Sequence, residues 1–432
     1  MRIGIAINGS RGDIQPYTAL GHALTAAGHE VALTANVDAA PLVAAAGLRF
    51  VPMDTLDTRW FMTSDAGQHA LASGTPEALL DGANAWLTAS LDGIAAGITA
   101  VAEGADAVIA GAQIDDYAAP ICEALGVRLI GGYLTPWLRT AAFAQVFSAA
   151  RQHAAQPRTG PENLRTYQEF ERVYWRGKHD AVNTLRRSLG LPAVDASLIH
   201  TAADADLTVL HGYSPLLVPR PGDWGPRNVM TGYWRLRADV RERLGETAAV
   251  ARLEDWLADG PAPVFLGFGS MPILDPAPVL EMALAAAAKA GVRILIGAGW
   301  TQLSGLADAL PPDAALVGAV DHDLLFPRCL AVVHHGGAGT TAAGLIAGRP
   351  TFVFSMFMDQ PFWGTRVERL RAGGRRAFRD LDVRSLTEAL TLLGRPEVRR
   401  RAAAVGRLLH AEDGVATAVR AIETAVAQPT GT

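Results

Sequence analysis

The run His334-His335-Gly336-Gly337-Ala338-Gly339-Thr340-Thr341 stands between an apolar stretch and an Ala/Leu-rich one. Glycines let a ligand approach the backbone closely. A helix opening at Thr340 or Thr341 presents unpaired N–H groups and the positive end of its dipole, which suits a diphosphate. Adjacent strand residues face opposite sides, so one histidine meets such a ligand. His335, beside the glycines, is that residue, and His334 is expected to be packed behind it. A glycine-rich strand-to-helix turn that binds nothing has the same composition, but the two histidines at its mouth weigh against that reading.

Past the next apolar run comes Met358-Asp359-Gln360-Pro361-Phe362-Trp363-Gly364. A carboxylate beside a carboxamide can accept from and donate to vicinal hydroxyls, the need presented by a sugar. Asp359 ahead of Pro361 is equally a plain helix start with an N-cap. In Asn8-Gly9-Ser10-Arg11-Gly12-Asp13, after the first apolar run, Asp13 reads either as an N-cap or as a general base that removes the proton of an attacking hydroxyl. Gly267-Phe268-Gly269-Ser270 could form a second phosphate-facing loop, and Trp300 after Gly299 could flank a nucleotide base.

Two patterns mimic other chemistries. Asp204-Ala205-Asp206 and Asp321-His322-Asp323 have the Asp-x-Asp spacing of metal-assisted sugar transfer, a pattern frequent by chance. Gly337-x-Gly339 with Asp359 downstream imitates a dinucleotide fingerprint, but Ala342 stands where its third glycine belongs.

These loops need a scaffold that brings strand ends together. Short runs rich in branched residues alternate with helical patterns: Ile3–Ile7, Val31–Thr34, Ala107–Ala110 and Val127–Ile130, then Val264–Phe268, Ile294–Ile296, Ala315–Val317, Ala331–His334 and Thr351–Phe354. Such alternation predicts two doubly wound α/β domains with parallel sheets, and a ligand at the strands' carboxyl ends in the cleft between them. A helical insertion is expected over Glu162–Ser188, and the proline-rich stretch after Leu207 reads as a linker.

Composition narrows the function. Half of the 432 residues are apolar, 19% are charged and the net charge is −5, so nucleic acid is a poor partner. Two cysteines argue against a disulfide framework, and the apolar run Leu79–Ala112 is broken by acidic residues, so no membrane span is expected. The short apolar start does not read as a signal peptide, which predicts a cytoplasmic protein. Lys178 and Lys289 are the sole lysines, leaving little for Schiff-base chemistry.

Gly9-Ser10-Arg11-Gly12-Asp13, the run His334–Leu345 and Asp359–Gly364, with Gly232-Tyr233-Trp234, together resemble the GT-B glycosyltransferases of family one. The closest likeness is to the branch of sterol glucosyltransferases and bacterial antibiotic or glycolipid glycosyltransferases. The resemblance implies an acceptor domain over 1–214, a linker over 215–235, a donor domain over 236–408, and a tail, 409–432, whose helix crosses back to the first domain. It further implies inverting transfer of a hexose from UDP-glucose or a dTDP-sugar to a hydroxyl of a small hydrophobic acceptor.

On that likeness Asp13 is the base, and Ser270, His335, Gly337, Gly339 and Thr340 hold the diphosphate. Asp359 and Gln360 hold the sugar, while Trp300 and the backbone at Val320 lie beside the nucleoside. The donor is a co-substrate, and neither a cofactor nor a metal is implied. Tyr133 and Trp137, with Trp60, Phe61, Phe143 and Phe147, are candidates for the acceptor pocket, although such spacings also suit a core. Two departures stand out: Asp13 replaces the histidine base of many relatives, and Ala343 replaces their ribose-binding glutamate. The alternative on the same fold is a nucleotide-sugar epimerase.

Overall fold

The computed structural model describes residues 1–55, 76–148, 159–201, 207–269, 276–299 and 310–428. It divides into two compact units, Met1–Arg237 with Asp413–Thr432, and Ala238–Glu412.

The first unit is built on seven strands: β1 (Arg2–Ala6), β2 (Glu30–Asn36), β3 (Arg49–Met53), β4 (Ala107–Gly111), β5 (Arg128–Tyr133), β6 (Thr208–His211) and β7 (Asn228–Met230). They pair in parallel in the order β3-β2-β1-β4-β5-β6-β7, with Ile3 opposite both Val31 and Ala107. Helices cover both faces, so the central strands are continuous apolar runs rather than alternating ones. Every residue of β4 is buried. The order reverses direction between β1 and β4, and the loops leaving those strands flank the crevice where such sheets bind ligands.

The second unit repeats the plan with β8 (Val264–Gly267), β9 (Ile294–Gly297), β10 (Ala314–Val317), β11 (Ala331–His334), β12 (Thr351–Ser355) and β13 (Gly373–Ala377). Their order, β10-β9-β8-β11-β12-β13, is again all parallel and reverses between β8 and β11. Two of its glycine-bearing loops, after Gly267 and after His334, therefore leave neighbouring strands.

The terminal helix Gly414–Ala427 belongs to the first unit and packs on the helix Arg11–Ala26. His29 Nε2 meets Glu423 at 3.1 Å between them. A side chain at Gly414 would come within 2.4 Å of the Tyr233 carbonyl, so glycine permits this close docking.

The proline-rich stretch 215–235 lies inside the first unit, where β7 extends the sheet through Val209↔Asn228 pairing. Its prolines flank the paired residues, so they remove no ladder bond. Trp224 and Trp234 from this stretch are buried, Trp224 stacked 4.2 Å from His211 and Trp234 edge-on at 5.3 Å from Tyr17. The expected helical insertion consists of two helices, Gly160–Arg176 and His179–Ser188, parting at Gly177, where a Cβ would lie 2.8 Å from that of Asn84. Both cysteines, Cys122 and Cys329, are buried and unbridged. Among the described residues no single helix is long and apolar enough to cross a membrane.

Candidate functional site

Asp13 lies beyond the carboxyl end of β1, at the sheet's reversal point. It is not the N-cap: Ser10 holds that position and Asp13 is the third helical residue. Its Oδ2 accepts from the Ser10 N–H at 2.8 Å and the Ser10 hydroxyl at 3.0 Å. Gly9 adopts φ +136, and a Cβ there would meet Oδ2 at 2.5 Å, so glycine makes room for the carboxylate. Desolvation raises the Asp13 pKa, and the bonds from Ser10 oppose that rise. The result is a held, half-buried carboxylate that is more basic than one in water.

Behind it lies a polar network that spacing did not disclose. One turn on, the Tyr17 hydroxyl donates to the Gly132 carbonyl at the end of β5. Tyr133, fully buried, donates to Asp115 Oδ2 at 2.6 Å. The Asp115 carboxyl is pushed well up, by burial first and then by neighbouring Asp116, with Lys178 opposing. Lys178 is fully buried and donates to the Gln113 carbonyl at 2.7 Å and to Asp116 at 3.3 Å. Trp137 is 6% exposed and sits among Phe147, Phe170 and Tyr174, with ring centroids 4.6–5.6 Å away. Both acceptor candidates are thus engaged by the protein's own side chains, Tyr133 by Asp115 and Trp137 by aromatic rings.

In the second unit, β11 delivers the histidines to opposite sides. His334 is fully buried, and its Nδ1 accepts from the Gly336 N–H at 2.9 Å, which assigns the ring proton to Nε2. Gly336 takes φ +104, a conformation that favours glycine. His335 reaches the neighbouring loop: a Cβ at Gly269 would lie 2.7 Å from its Cε1. Desolvation pulls the His335 pKa down to about 4, partly opposed by a hydrogen bond with the Gly267 backbone, so at neutral pH its imidazole is uncharged.

The helix after the loop, Ala338–Ile346, starts two residues earlier than Thr340. Its first backbone bond runs from Thr341 N to the Gly337 carbonyl at 3.0 Å. The N–H groups of Ala338, Gly339 and Thr340 precede that bond and have no partner within the helix. Gly339 is exposed, and nothing lies within 4 Å of where its Cβ would be. The fold itself imposes no glycine there.

Asp359 precedes the helix Gln360–Arg369, yet its side chain caps nothing. Instead Oδ2 accepts from the indole N–H of Trp363 at 2.7 Å. The Gln360 side-chain oxygen accepts from the N–H groups of Met356, at 2.8 Å, and Phe357, at 3.3 Å. Those bonds orient the amide, so toward a ligand Gln360 offers its NH2 as a donor. Gly336 touches this turn directly: a Cβ there would lie 3.0 Å from both the Cβ and the carbonyl oxygen of Gln360. The glycine loop and the Asp359–Gln360 turn are one surface.

Val320 is buried in the core that includes Phe265 and Leu325. Ser270 and Trp300, like Trp60 and Phe61, lie outside the described residues, as does Asp204-Ala205-Asp206. The second Asp-x-Asp is structural. Asp321 caps the short helix His322–Leu325 by accepting from Asp323 N at 2.8 Å, and Arg241 lies 3.5 Å from Asp321 and 3.4 Å from Asp323. Among the described residues no group of three or more His, Cys, Asp or Glu side chains could hold a metal ion.

Comparison with known proteins decides the family. Residues 3–81 match the model of the glycosyltransferase family 28 N-terminal domain, and 281–422 match that of the erythromycin biosynthesis protein CIII-like C-terminal domain. A sterol 3-beta-glucosyltransferase of Arabidopsis thaliana is 33% identical over 98% of this chain and 65% of its own length. A second from the same plant is 32% identical over 98% of this chain and 67% of its own. The chain belongs to the sterol glucosyltransferase branch of the GT-B glycosyltransferases. This family member spans about two thirds of the plant relatives' length. Its fold matches that of the glycotransferase of kitacinnamycin, with a TM-score of 0.71 at 19% identity over 98% of both chains.

Within this glycosyltransferase family member, sequence reasoning quoted Ser10 and Trp363 in its motifs without giving them a partner, and it overlooked the Asp115–Asp116–Lys178 group. Two signals were there to find. Ser10-x-x-Asp13 has capping-box spacing, and Asp359 and Trp363 are four apart, on one face of a helix. Lys178 had no such signal, because its partner is remote in sequence.

Proposed function

We propose that the chain transfers a hexose from a nucleoside diphosphate sugar to a hydroxyl of a small hydrophobic acceptor, with inversion and without a metal ion. The observation that carries this reading is the contact of Gly336 with Gln360, which joins a diphosphate-type loop to a hydroxyl-binding pair. The diphosphate takes the N–H groups of Ala338, Gly339 and Thr340 and a hydrogen bond from neutral His335, with Gly337 giving the backbone access; Ser270 is proposed beside them. The sugar takes Asp359 as acceptor and Gln360 as donor. Trp300 and the Val320 backbone are proposed for the nucleoside, uridine or thymidine.

In the first unit Asp13 removes the proton of the acceptor hydroxyl while that oxygen bonds to the sugar's anomeric carbon. The bond from that carbon to the diphosphate oxygen breaks with its electron pair, which the diphosphate retains. The helix N–H groups stabilise that developing charge without rearranging, and a single displacement inverts the anomeric centre. The proton on Asp13 then passes to solvent. Tyr133 and Trp137 are proposed to form the buried wall behind the acceptor, which fits a nonpolar partner. The relatives named as sterol 3-beta-glucosyltransferases support a sterol-like acceptor and a glucose donor.

Incubation with UDP- and dTDP-sugars, with and without a sterol or polyketide acceptor, tests the reading. A glycosylated acceptor and released nucleoside diphosphate are the expected products. Conversion of the donor to another sugar without acceptor would establish the epimerase instead.

A further inference from the structure

Among the described residues of the second unit Trp363 is the largest side chain to be fully buried, and a buried indole N–H requires an acceptor. That acceptor is Asp359 Oδ2, at 2.7 Å, while the Trp363 backbone N–H reaches the Asp359 carbonyl at 3.1 Å. Side chain and backbone therefore grip the same residue one turn back. Gly364 allows the indole to sink this deep: a Cβ there would lie 3.0 Å from Arg375 Cβ and 3.3 Å from Val353 Cβ, so the helix lies directly on β12 and β13. The turn before it is strained, with non-glycine Met358 at φ 56, and a strained residue persists only where its surroundings over-determine it. The Gln360 oxygen, bonded to the N–H groups of Met356 and Phe357, supplies the other constraint.

We propose that Trp363 is a positioning residue for donor selection: its indole N–H presets the Asp359 carboxylate, so that the sugar site requires a hydroxyl that donates to Asp359 and one that accepts from Gln360. The proposal rests on the reading of Asp359 and Gln360 as the sugar-binding pair. A carboxylate free to rotate would accept from hydroxyls in several positions and would pay an ordering entropy on binding. A preset one discriminates against sugars lacking a hydroxyl at the matching carbon.

The test is Trp363→Phe, which deletes the N–H and keeps an aromatic ring, compared with wild type on three ligands: UDP-glucose, a UDP-deoxyglucose series lacking single hydroxyls, and UDP alone, with the dTDP forms run in parallel. Loss of a hydrogen bond to a charged group predicts a fall of about tenfold or more in kcat/KM for the intact hexose donor. The rise should lie mainly in the donor KM, the preference over the matching deoxy donor should shrink by the same factor, and binding of the free diphosphate should not change. An equal loss on all three ligands would mean a packing role and overturn the proposal, as would no loss. Should Trp363→Phe fail to fold, benzothienylalanine at 363 replaces N–H by sulfur at nearly equal volume and is read in the same way. Asp359→Ala separates the two readings. If it too leaves hexose-donor kcat/KM unchanged, the sugar-site assignment has failed; if it lowers kcat/KM while the 363 variants do not, only the role of Trp363 has.

Discussion

Gly336 is pressed against Gln360 so closely that any side chain at 336 would lie 3.0 Å from the Gln360 Cβ and 2.6 Å from a Val353 methyl. Backbone conformation adds to this, because Gly336 sits at φ +104 and is held there by His334 Nδ1. Gly336→Ala is expected to destabilise the second unit by about 1–3 kcal/mol in urea unfolding and to weaken both diphosphate and sugar recognition. Gly339→Ala is the contrast. It meets open space, so stability should hold while donor affinity falls; a Gly339→Ala protein with native donor affinity would remove that residue from the diphosphate site.

Asp13→Asn should cut transfer by about a hundredfold to ten-thousandfold, the range for a lost general base, while donor binding persists. Near-native turnover would sink the assignment.

The pH profile gives a finer check on the same residue. The base must be ionised, so kcat/KM falls as pH drops through the Asp13 pKa, which desolvation has raised above that of a free carboxyl. The two Ser10 bonds favour the charged form. Ser10→Ala removes the hydroxyl bond and keeps the N–H one, so it should move the acid limb of the profile to higher pH. A limb that stays in place would show that another group controls it.

Stability should fall in mild acid. His211 is fully buried, stacked on Trp224, and bonded to Tyr213 at 2.9 Å and Asn228 at 3.2 Å. Burial brings its pKa down to about 3. Between that value and about 6.5, the unfolded chain binds a proton that the folded chain refuses, so stability present above pH 6.5 is lost as pH falls. The slope is about 1.4 kcal/mol per pH unit for this one residue. His211→Asn should flatten a plot of unfolding free energy against pH by that amount, whatever its effect at pH 7.

Lys178 joins the helical insertion to the sheet through the Gln113 carbonyl and Asp116, with no exposure to solvent. Lys178→Met leaves Asp116 buried without its cation, and removing one partner of a buried pair costs about 3–5 kcal/mol. Urea unfolding of the first unit measures it. A loss under about 1 kcal/mol would mean that the pair contributes no more than an exposed one.

Much of the scaffold was readable because each feature is local. The strand Ala331–His334 begins and ends where the apolar run does, and most other predicted strands agree within a residue or two. A strand buried on both faces leaves an uninterrupted branched run, which is a strong signal. β13, Gly-Gly-Arg-Arg-Ala, escaped because it is an edge strand with only one neighbour, β12, and carries arginines at its half-buried and exposed positions. β7 escaped because prolines and glycines surround three pairing residues.

What the sequence determined by itself was the alternation of elements, the glycine loop, and which residue types were available for acid–base and hydroxyl chemistry. Tertiary structure decided which partners those residues have. Neither Asp359 nor Asp13 caps its helix through its side chain: Asp359 accepts from the Trp363 indole, and Ser10 holds the N-cap position ahead of Asp13. The order β10-β9-β8-β11-β12-β13 brings the loop after Gly267 beside His335, although nearly seventy residues separate them. Periodicity and capping act within a few residues along the chain, whereas desolvation and hydrogen-bond partnership depend on neighbours that only sheet order and helix packing bring together.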